Sequence, residues 1–256
     1  MVLIAAITAA AALYGTIAGL GGGIIIVPAL LLTGVALSTA TPLSLAAVFV
    51  GAIAGLLPAA RRRLIDRSAL LALAPAALIG SALGGVAAQR LPEEPLLLVF
   101  ALISVAVARD ALLPDRPVAT KRSEHRTGQL LLGGGAGGFF SGALGIGGGV
   151  FVVPTARRFG PMRIEAATAT SVAVIVGSSA IGVLSNLATA TTAGAGITSS
   201  ELLAAGLGAA AGGFAGGRLS PRVPERARTL DRHGRRGSRS RCLAAPRRVG
   251  CFITRR

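Results

Sequence analysis

Gly19-Leu20-Gly21-Gly22-Gly23-Ile24-Ile25-Ile26-Val27-Pro28 returns 126 residues later as Gly145-Ile146-Gly147-Gly148-Gly149-Val150-Phe151-Val152-Val153-Pro154. Both copies lie inside long apolar stretches. A glycine cluster in the middle of such a stretch interrupts a helix and frees backbone amides and carbonyls. Lipid cannot satisfy these groups, so broken backbone is tolerated only where protein buries it or where it lines a polar cavity. Two breaks at corresponding positions of two halves point to a transporter binding site.

Working outward, the chain is 52% hydrophobic with mean hydropathy +0.71, and only 14% of it is charged. A soluble domain carries about 25% charged residues. Candidate spans are 2–32 (overlong and broken), 42–60, 68–88, 95–113, 128–156 (overlong and broken), 166–187 and 199–219. Each is close to or above the ~20 residues a helix needs to cross a bilayer. Residues 2–18 lack a basic n-region and run on through the glycines, so they read as a retained span rather than a signal peptide. The two cysteines, Cys242 and Cys251, both sit in the tail. They form no metal or disulfide framework. His125 and His233 lie in charged stretches. No nucleophile constellation or paired carboxylates stand in a plausible pocket, which argues against an enzyme. No cofactor or metal is expected.

The repeat extends past the glycines. Ala40-Thr41-Pro42-Leu43-Ser44-Leu45 aligns with Ala167-Thr168-Ala169-Thr170-Ser171-Val172 after a one-residue shift, and Gly55 with Gly182. Gly84-Gly85 and Leu91-Pro92-Glu93 align with Gly216-Gly217 and Val223-Pro224-Glu225. The expected organisation is a first membrane repeat over 1–113, a polar linker over 114–127 and a second, incomplete repeat over 128–221. Residues 222–256 then form an Arg-rich tail with 12 Arg and 2 acids, most of the formal +16. A span follows Glu93 in the first half but none follows Glu225, so the eighth span is missing. The preferred reading of the tail is a shifted reading frame. A plain cytoplasmic extension comes next, and a role in binding nucleic acid or an anionic surface last.

Loop charges alternate differently in the two halves. The loop 33–41 is uncharged and the next holds Arg61, Arg62, Arg63 and Arg67; after the second broken helix come Arg157, Arg158 and Arg163, and 188–198 is uncharged. By the positive-inside rule this swap implies inverted halves. Four full crossings per half would make them parallel, so inversion requires one element that fails to cross.

A helix restarting after a glycine break presents unpaired N–H groups and the positive end of its dipole. That suits an anion. Proline five residues past the last glycine should disturb the helix again, leaving short half-helices at Ile24–Val27 and Val150–Val153. The candidate substrate-binding residues are therefore Gly19, Gly21, Gly22, Gly23 and Pro28, with Gly145, Gly147, Gly148, Gly149 and Pro154. The competing reading is that these glycines only let helices approach closely. Ser44 and the pair Thr170-Ser171 are further candidates, although hydroxyls in spans more often bond carbonyls or link helices. Asn186 reads as interfacial. Glu165 and Glu201 read as helix-start carboxylates, which leaves proton coupling without a clear residue.

The duplicated G-x-G-G-G-x-x-x-x-P segment and the A-x-x-T-S-like stretch after it resemble the TauE/SafE, or sulfite exporter, family of membrane permeases. The resemblance covers roughly residues 5–225. It implies an inner-membrane, multi-pass protein of about eight spans. It also implies transport of small sulfur-containing or organic anions such as sulfite or a sulfonate. The fold expected is thus an all-α polytopic membrane protein of two homologous four-helix halves. Its partners would be a small anion and the lipid bilayer, with no nucleic acid. The alternatives are a non-transporting membrane scaffold or an inactive frame-shifted product.

Overall fold

The computed structural model describes residues 2–112, 127–159, 164–190 and 199–220. Among these residues every regular element is a helix. The order is α1 (Val2–Ala18), α2 (Gly23–Leu32), α3 (Leu37–Arg61), α4 (Arg67–Ala88), α5 (Glu93–Leu112), α6 (Thr127–Leu144), α7 (Gly149–Phe159), α8 (Ile164–Ala190) and α9 (Ser199–Leu219). All seven apolar stretches are therefore helical, with the first and fifth split at their glycines. The chain is an all-helical membrane protein. Four of the described helices are long and apolar enough to cross a membrane: Leu37–Arg61, Arg67–Ala88, Glu165–Asn186 and Leu202–Leu219. Leu71, Leu83, Leu98, Leu102, Val105 and Leu207 are exposed on the outside of the bundle. In water such a surface would be a liability; against acyl chains it is the expected one. Residues 113–126, 191–198 and 221–256, which hold all of the expected linker but Thr127 and all of the basic tail, lie outside the described residues.

The sequence leaves open whether the overlong broken segments cross straight; the geometry shows that they do not run straight. Each broken segment is a helical hairpin that turns back on itself. Leu20 N–H and Gly21 N–H both donate to Gly15 O, at 2.8 and 3.3 Å. The chain then returns along α1: Gly22 lies against Ala11 O, and Ala11, Ala12, Ile26 and Leu30 share one core cluster. The second copy repeats this. Gly137 faces Gly148, Phe151 and Val152, and Gly133 faces Thr155, so α7 descends along α6. Phe140 and Phe151 stack at 5.1 Å to clasp that hairpin. A hairpin enters and leaves on one side. Three helices (α3, α4 and α5) follow the hairpin in the first half, an odd number, and α8 runs antiparallel to its counterpart α3, so the second half is inverted.

The half-helices are also longer than Ile24–Val27 and Val150–Val153. Pro28 and Pro154 lie inside α2 and α7, which run on to Leu32 and Phe159. A proline removes one ladder bond. Ending the helix in an apolar setting would free several backbone groups at once, so the helix continues.

The long helices form two parallel groups, joined through small residues spaced by four. In one group, Gly208, Gly212 and Gly216 of α9 abut the carbonyls of Ala5, Ala9 and Leu13 of α1, and Gly213 and Gly217 abut those of Gly51 and Gly55 of α3. In the other, Gly134, Gly138 and Gly142 of α6 abut the carbonyls of Leu73, Ala77 and Ser81 of α4, while Ser81 and Ser185 face Gly182 and Gly85 between α4 and α8. Ascending numbers on both partners make each pair parallel. Helices α3 and α8 cross antiparallel between the groups: Leu45 meets Gly182 at one end, and Gly55 and Ala59 share a cleft with Thr168 and Val172 at the other. Thus α9 completes the group begun by α1 and α3, and α4 completes that of α6 and α8. Backbone contact at this range needs glycine and gains dispersion and Cα–H···O attraction.

These stripes give a stability prediction. Gly138→Leu drives a side chain into Ala77 O and should destabilise the protein by about 3 kcal/mol or more. Gly206→Ala, where a β-carbon meets nothing within 4 Å, should stabilise it by about 0.5–1 kcal/mol. Thermal unfolding in detergent distinguishes the two; equal midpoints would refute the stripe as the source of cohesion.

Candidate functional site

Three glycines in each break take the left-handed conformation that favours glycine. Gly19, Gly21 and Gly22 have φ of 74, 88 and 80°; Gly145, Gly147 and Gly148 have 71, 90 and 69°. A side chain at any of these positions would be strained. None of the stripe glycines has positive φ. Glycine therefore serves two purposes here, close approach along the helices and chain reversal at the breaks.

The two breaks meet at the centre of the molecule and hold each other reciprocally. A β-carbon on Gly21 would come within 3.3 Å of Gly147 Cα, and one on Gly147 within 3.4 Å of Gly21 Cα. Gly23, which opens α2, abuts Gly145 O; Gly149, which opens α7, abuts Gly19 O. Ser44 Oγ donates to Gly145 O at 2.9 Å, and Ser171 Oγ donates to Gly19 O at 2.8 Å. Each serine sits in one copy and reaches the break of the other. Both are fully buried. This places Ser44 and Ser171 at the breaks as cross-links between copies.

The helix starts have the geometry the sequence implies. Ile25 N–H and Ile26 N–H are the first to donate within α2, both to Gly22 O. In α7 the equivalents are Phe151 and Val152, both to Gly148 O, while Gly149 N–H donates to Gly147 O. The amides of Gly23, Ile24, Gly148 and Val150 find no backbone acceptor among the described residues. Donors thus converge from two helix N-termini onto one central point, with positive partial charge behind each.

Two clefts approach this point from opposite ends. One, the narrower, runs between Thr16, Gly55, Ala59, Glu165, Thr168 and Gly217. The other, larger, runs between Ser38, Thr41, Gln89, Glu93, Ala143 and Asn186. Ser38 and Ala59 stand 21 residues apart on α3, about 31 Å along a helix. The clefts are repeat equivalents: Thr41 and Thr168 occupy the same aligned position. Thr168 packs on Gly19 and Thr41 on Gly145, so each cleft ends on one break. Between them stand the Gly21–Gly147 contact and the side chains of Val48 and Ile175.

Other candidates fall elsewhere. Thr170 is buried, but its Oγ accepts from Asp66 N–H at 3.0 Å. It braces the turn into α4, where the Asp66 carboxylate caps the helix through Ser68 N–H and Ala69 N–H. Pro28 is half-buried and Pro154 exposed, both away from the crossing. Asn186, expected at an interface, is only 1% exposed. Its Nδ2 donates to Gly182 O at 2.8 Å and Gly142 O at 3.2 Å, and its Oδ1 accepts from Gln89 at 3.2 Å. Its aligned partner in the first copy is Ala59, so the repeat gave no warning of it. Thr41 and Thr168 could have been found, since each lies three residues before its serine, on the same helix face. Among the described residues no His, Cys, Asp and Glu group could hold a metal ion.

Replacing Ser44 or Ser171 with alanine leaves a buried carbonyl short of one donor. Each change should cost about 1 kcal/mol and lower the unfolding midpoint in detergent. An unchanged midpoint in both variants would show that the breaks do not depend on these cross-links.

No curated protein and no solved structure matches the chain. A family model described as sulfite exporter TauE/SafE matches residues 3–230, which takes in both glycine breaks, both clefts and every described helix except the first residue of α1. That family implies a membrane transporter of sulfite-type anions. The chain belongs to the sulfite exporter TauE/SafE family.

Proposed function

We propose that the chain is a secondary transporter that moves a small sulfur-containing or organic anion, such as sulfite or a sulfonate, by alternating access across the crossed glycine breaks. One observation carries the reading. Two clefts at opposite ends of the bundle are lined by Thr168 and by Thr41, and these residues pack on Gly19 and Gly145 of the two breaks. In this closed arrangement the carbonyls of Gly19 and Gly145 lie against the starts of α7 and α2. An anion arriving from one cleft takes the place of a carbonyl, and rocking of one helix group against the other opens the second cleft. A secondary carrier runs in either direction, as the gradients dictate. Candidate substrate contacts are Gly19, Gly21, Gly22, Gly23, Gly145, Gly147, Gly148 and Gly149, with Ser44 and Ser171 orienting their carbonyls.

Charge supports an orientation. Arg61, Arg62 and Arg63 end α3, Arg67 begins α4, Arg109 lies in the last turn of α5, Arg157 is near the end of α7 and Arg218 is in the last turn of α9. All belong to the Thr168 end of the bundle. The opposite end has Arg90 with Glu93 and Glu94. The positive-inside rule turns the Thr168 cleft to the cytoplasm, in a bacterial-type inner membrane. The scaffold reading uses glycine for close approach alone; six positive φ values at matched positions are more than close approach requires.

The test is flux of radiolabelled sulfite into proteoliposomes. Wild type should carry it. Gly147→Ala, which puts a β-carbon at φ 90° and 3.0 Å from Val48 Cγ1, should cut flux by about tenfold or more, the effect of a ~1.4 kcal/mol misfit at the crossing, with normal membrane insertion. Undiminished flux would refute the crossing as the pathway; wild type carrying neither sulfite nor any sulfonate would favour the scaffold.

Orientation is tested separately. With Cys242→Ser and Cys251→Ser as background, an impermeant maleimide should label Glu165→Cys from the cytoplasmic face and Ser38→Cys from the other. Labelling of both from one face would overturn the inverted arrangement.

A further inference from the structure

The crossing is reciprocal in its backbone but not in its side chains. Ser141 lies one turn before the second break and is fully buried. Its Oγ has no hydrogen-bond partner, the only hydroxyl of the described core in that state. A buried hydroxyl without a partner is costly, and a fold usually satisfies it, for instance on the carbonyl one turn back. Thr8, Thr16 and Ser179 do so, bonding the carbonyls of Ile4, Ala12 and Ile175.

The repeat places Gly15 at the equivalent position of the first copy, and there a β-carbon would collide with Gly22 N. In the second copy the chain leaves room for a side chain there: the Ser141 Cβ lies 3.4 Å from the β-position of Gly148, the residue before α7. Gly148 N–H and Val150 N–H, at the start of α7, find no backbone acceptor among the described residues. The same turn of α6 reaches the larger cleft: Ala143 lines it, and Asn186, which also lines it, donates to Gly142 O.

We propose that Ser141 is a substrate ligand, and that the anion is held asymmetrically, by the Ser141 hydroxyl and the first amides of α7 at the second break. This rests on the transport reading above. The ligand is a small oxyanion, because the donors on offer are one hydroxyl and backbone N–H groups at a helix start, with no basic side chain. The first break, with Gly15 in place of the serine, lacks the hydroxyl and serves as the passage rather than the seat.

The experiment uses full-length protein in detergent and in proteoliposomes, with sulfite as the probe. Binding of sulfite is measured by titration, flux with the radiolabel, and unfolding without ligand. Ser141→Ala should weaken sulfite binding by about tenfold or more, the usual size for a hydrogen bond to a charged group. The ligand-free unfolding midpoint should stay level or rise, because an unsatisfied hydroxyl has been removed. Ser141→Thr, which keeps the hydroxyl, should retain more affinity than Ser141→Ala. Wild-type affinity in Ser141→Ala, with wild-type flux intact, overturns this proposal and leaves the transport reading standing. A lower midpoint with unchanged affinity overturns it too, by making Ser141 a structural residue. Wild type that neither binds nor carries sulfite or any sulfonate overturns both readings.

Discussion

The contact between Gly21 and Gly147 is the constraint from which the rest of this molecule follows. Two interrupted helices must bury their free backbone groups in a medium with no water to take them. The chain solves this by letting each interruption satisfy the other. Gly145 O takes Ser44 from the opposite copy, and Gly19 O takes Ser171. The exchange works only if the copies face each other across a two-fold relation, and that in turn requires inverted halves. The hairpin shape of α1–α2 supplies the inversion, because a hairpin adds no net crossing.

Much of this was legible in the sequence. The duplicated glycines marked the breaks, the apolar lengths marked the helices, and the swap of arginines between loops marked inversion. Ser44 and Ser171 were visible through their aligned offset. What sequence could not supply was the direction of α2 after its break. A straight continuation and a reversal have the same composition; the difference lies in φ at Gly19, Gly21 and Gly22, which glycine permits without dictating. Pro28 pointed toward an early helix end, yet in an apolar setting continuing costs one bond and stopping costs several. Ser141 escaped notice, and Asn186 read as interfacial rather than buried, for a different reason. Their repeat partners are Gly15 and Ala59, so the comparison that exposed the breaks concealed the side chains that distinguish them.

Glycine's two roles explain how a chain with so many of them keeps a defined structure. In helix interiors glycine is costly because of its freedom. Here Gly208, Gly212 and Gly216 recover that cost along α1, and Gly134, Gly138 and Gly142 along α4, through carbonyl contacts that any side chain would prevent. In lipid, where apolar side chains gain nothing by leaving one apolar medium for another, such close approach is the main source of cohesion.

The exchange of α4 and α9 sets what motion is available. Each parallel group contains helices from both copies, so the copies cannot separate as independent halves. The glycine stripes within a group are continuous over three turns, whereas the groups touch each other mainly through α3 and α8 and through the crossed breaks. The glycine stripes thus lie inside the groups, and the surface between the groups is held by the crossed breaks and the α3–α8 contact. A rocking of one group on the other would then part Gly21 from Gly147, withdraw each serine from its carbonyl and expose the starts of α2 and α7 together. Under the proposed alternating access, the same reciprocal bonds that close the centre would part in a single concerted step.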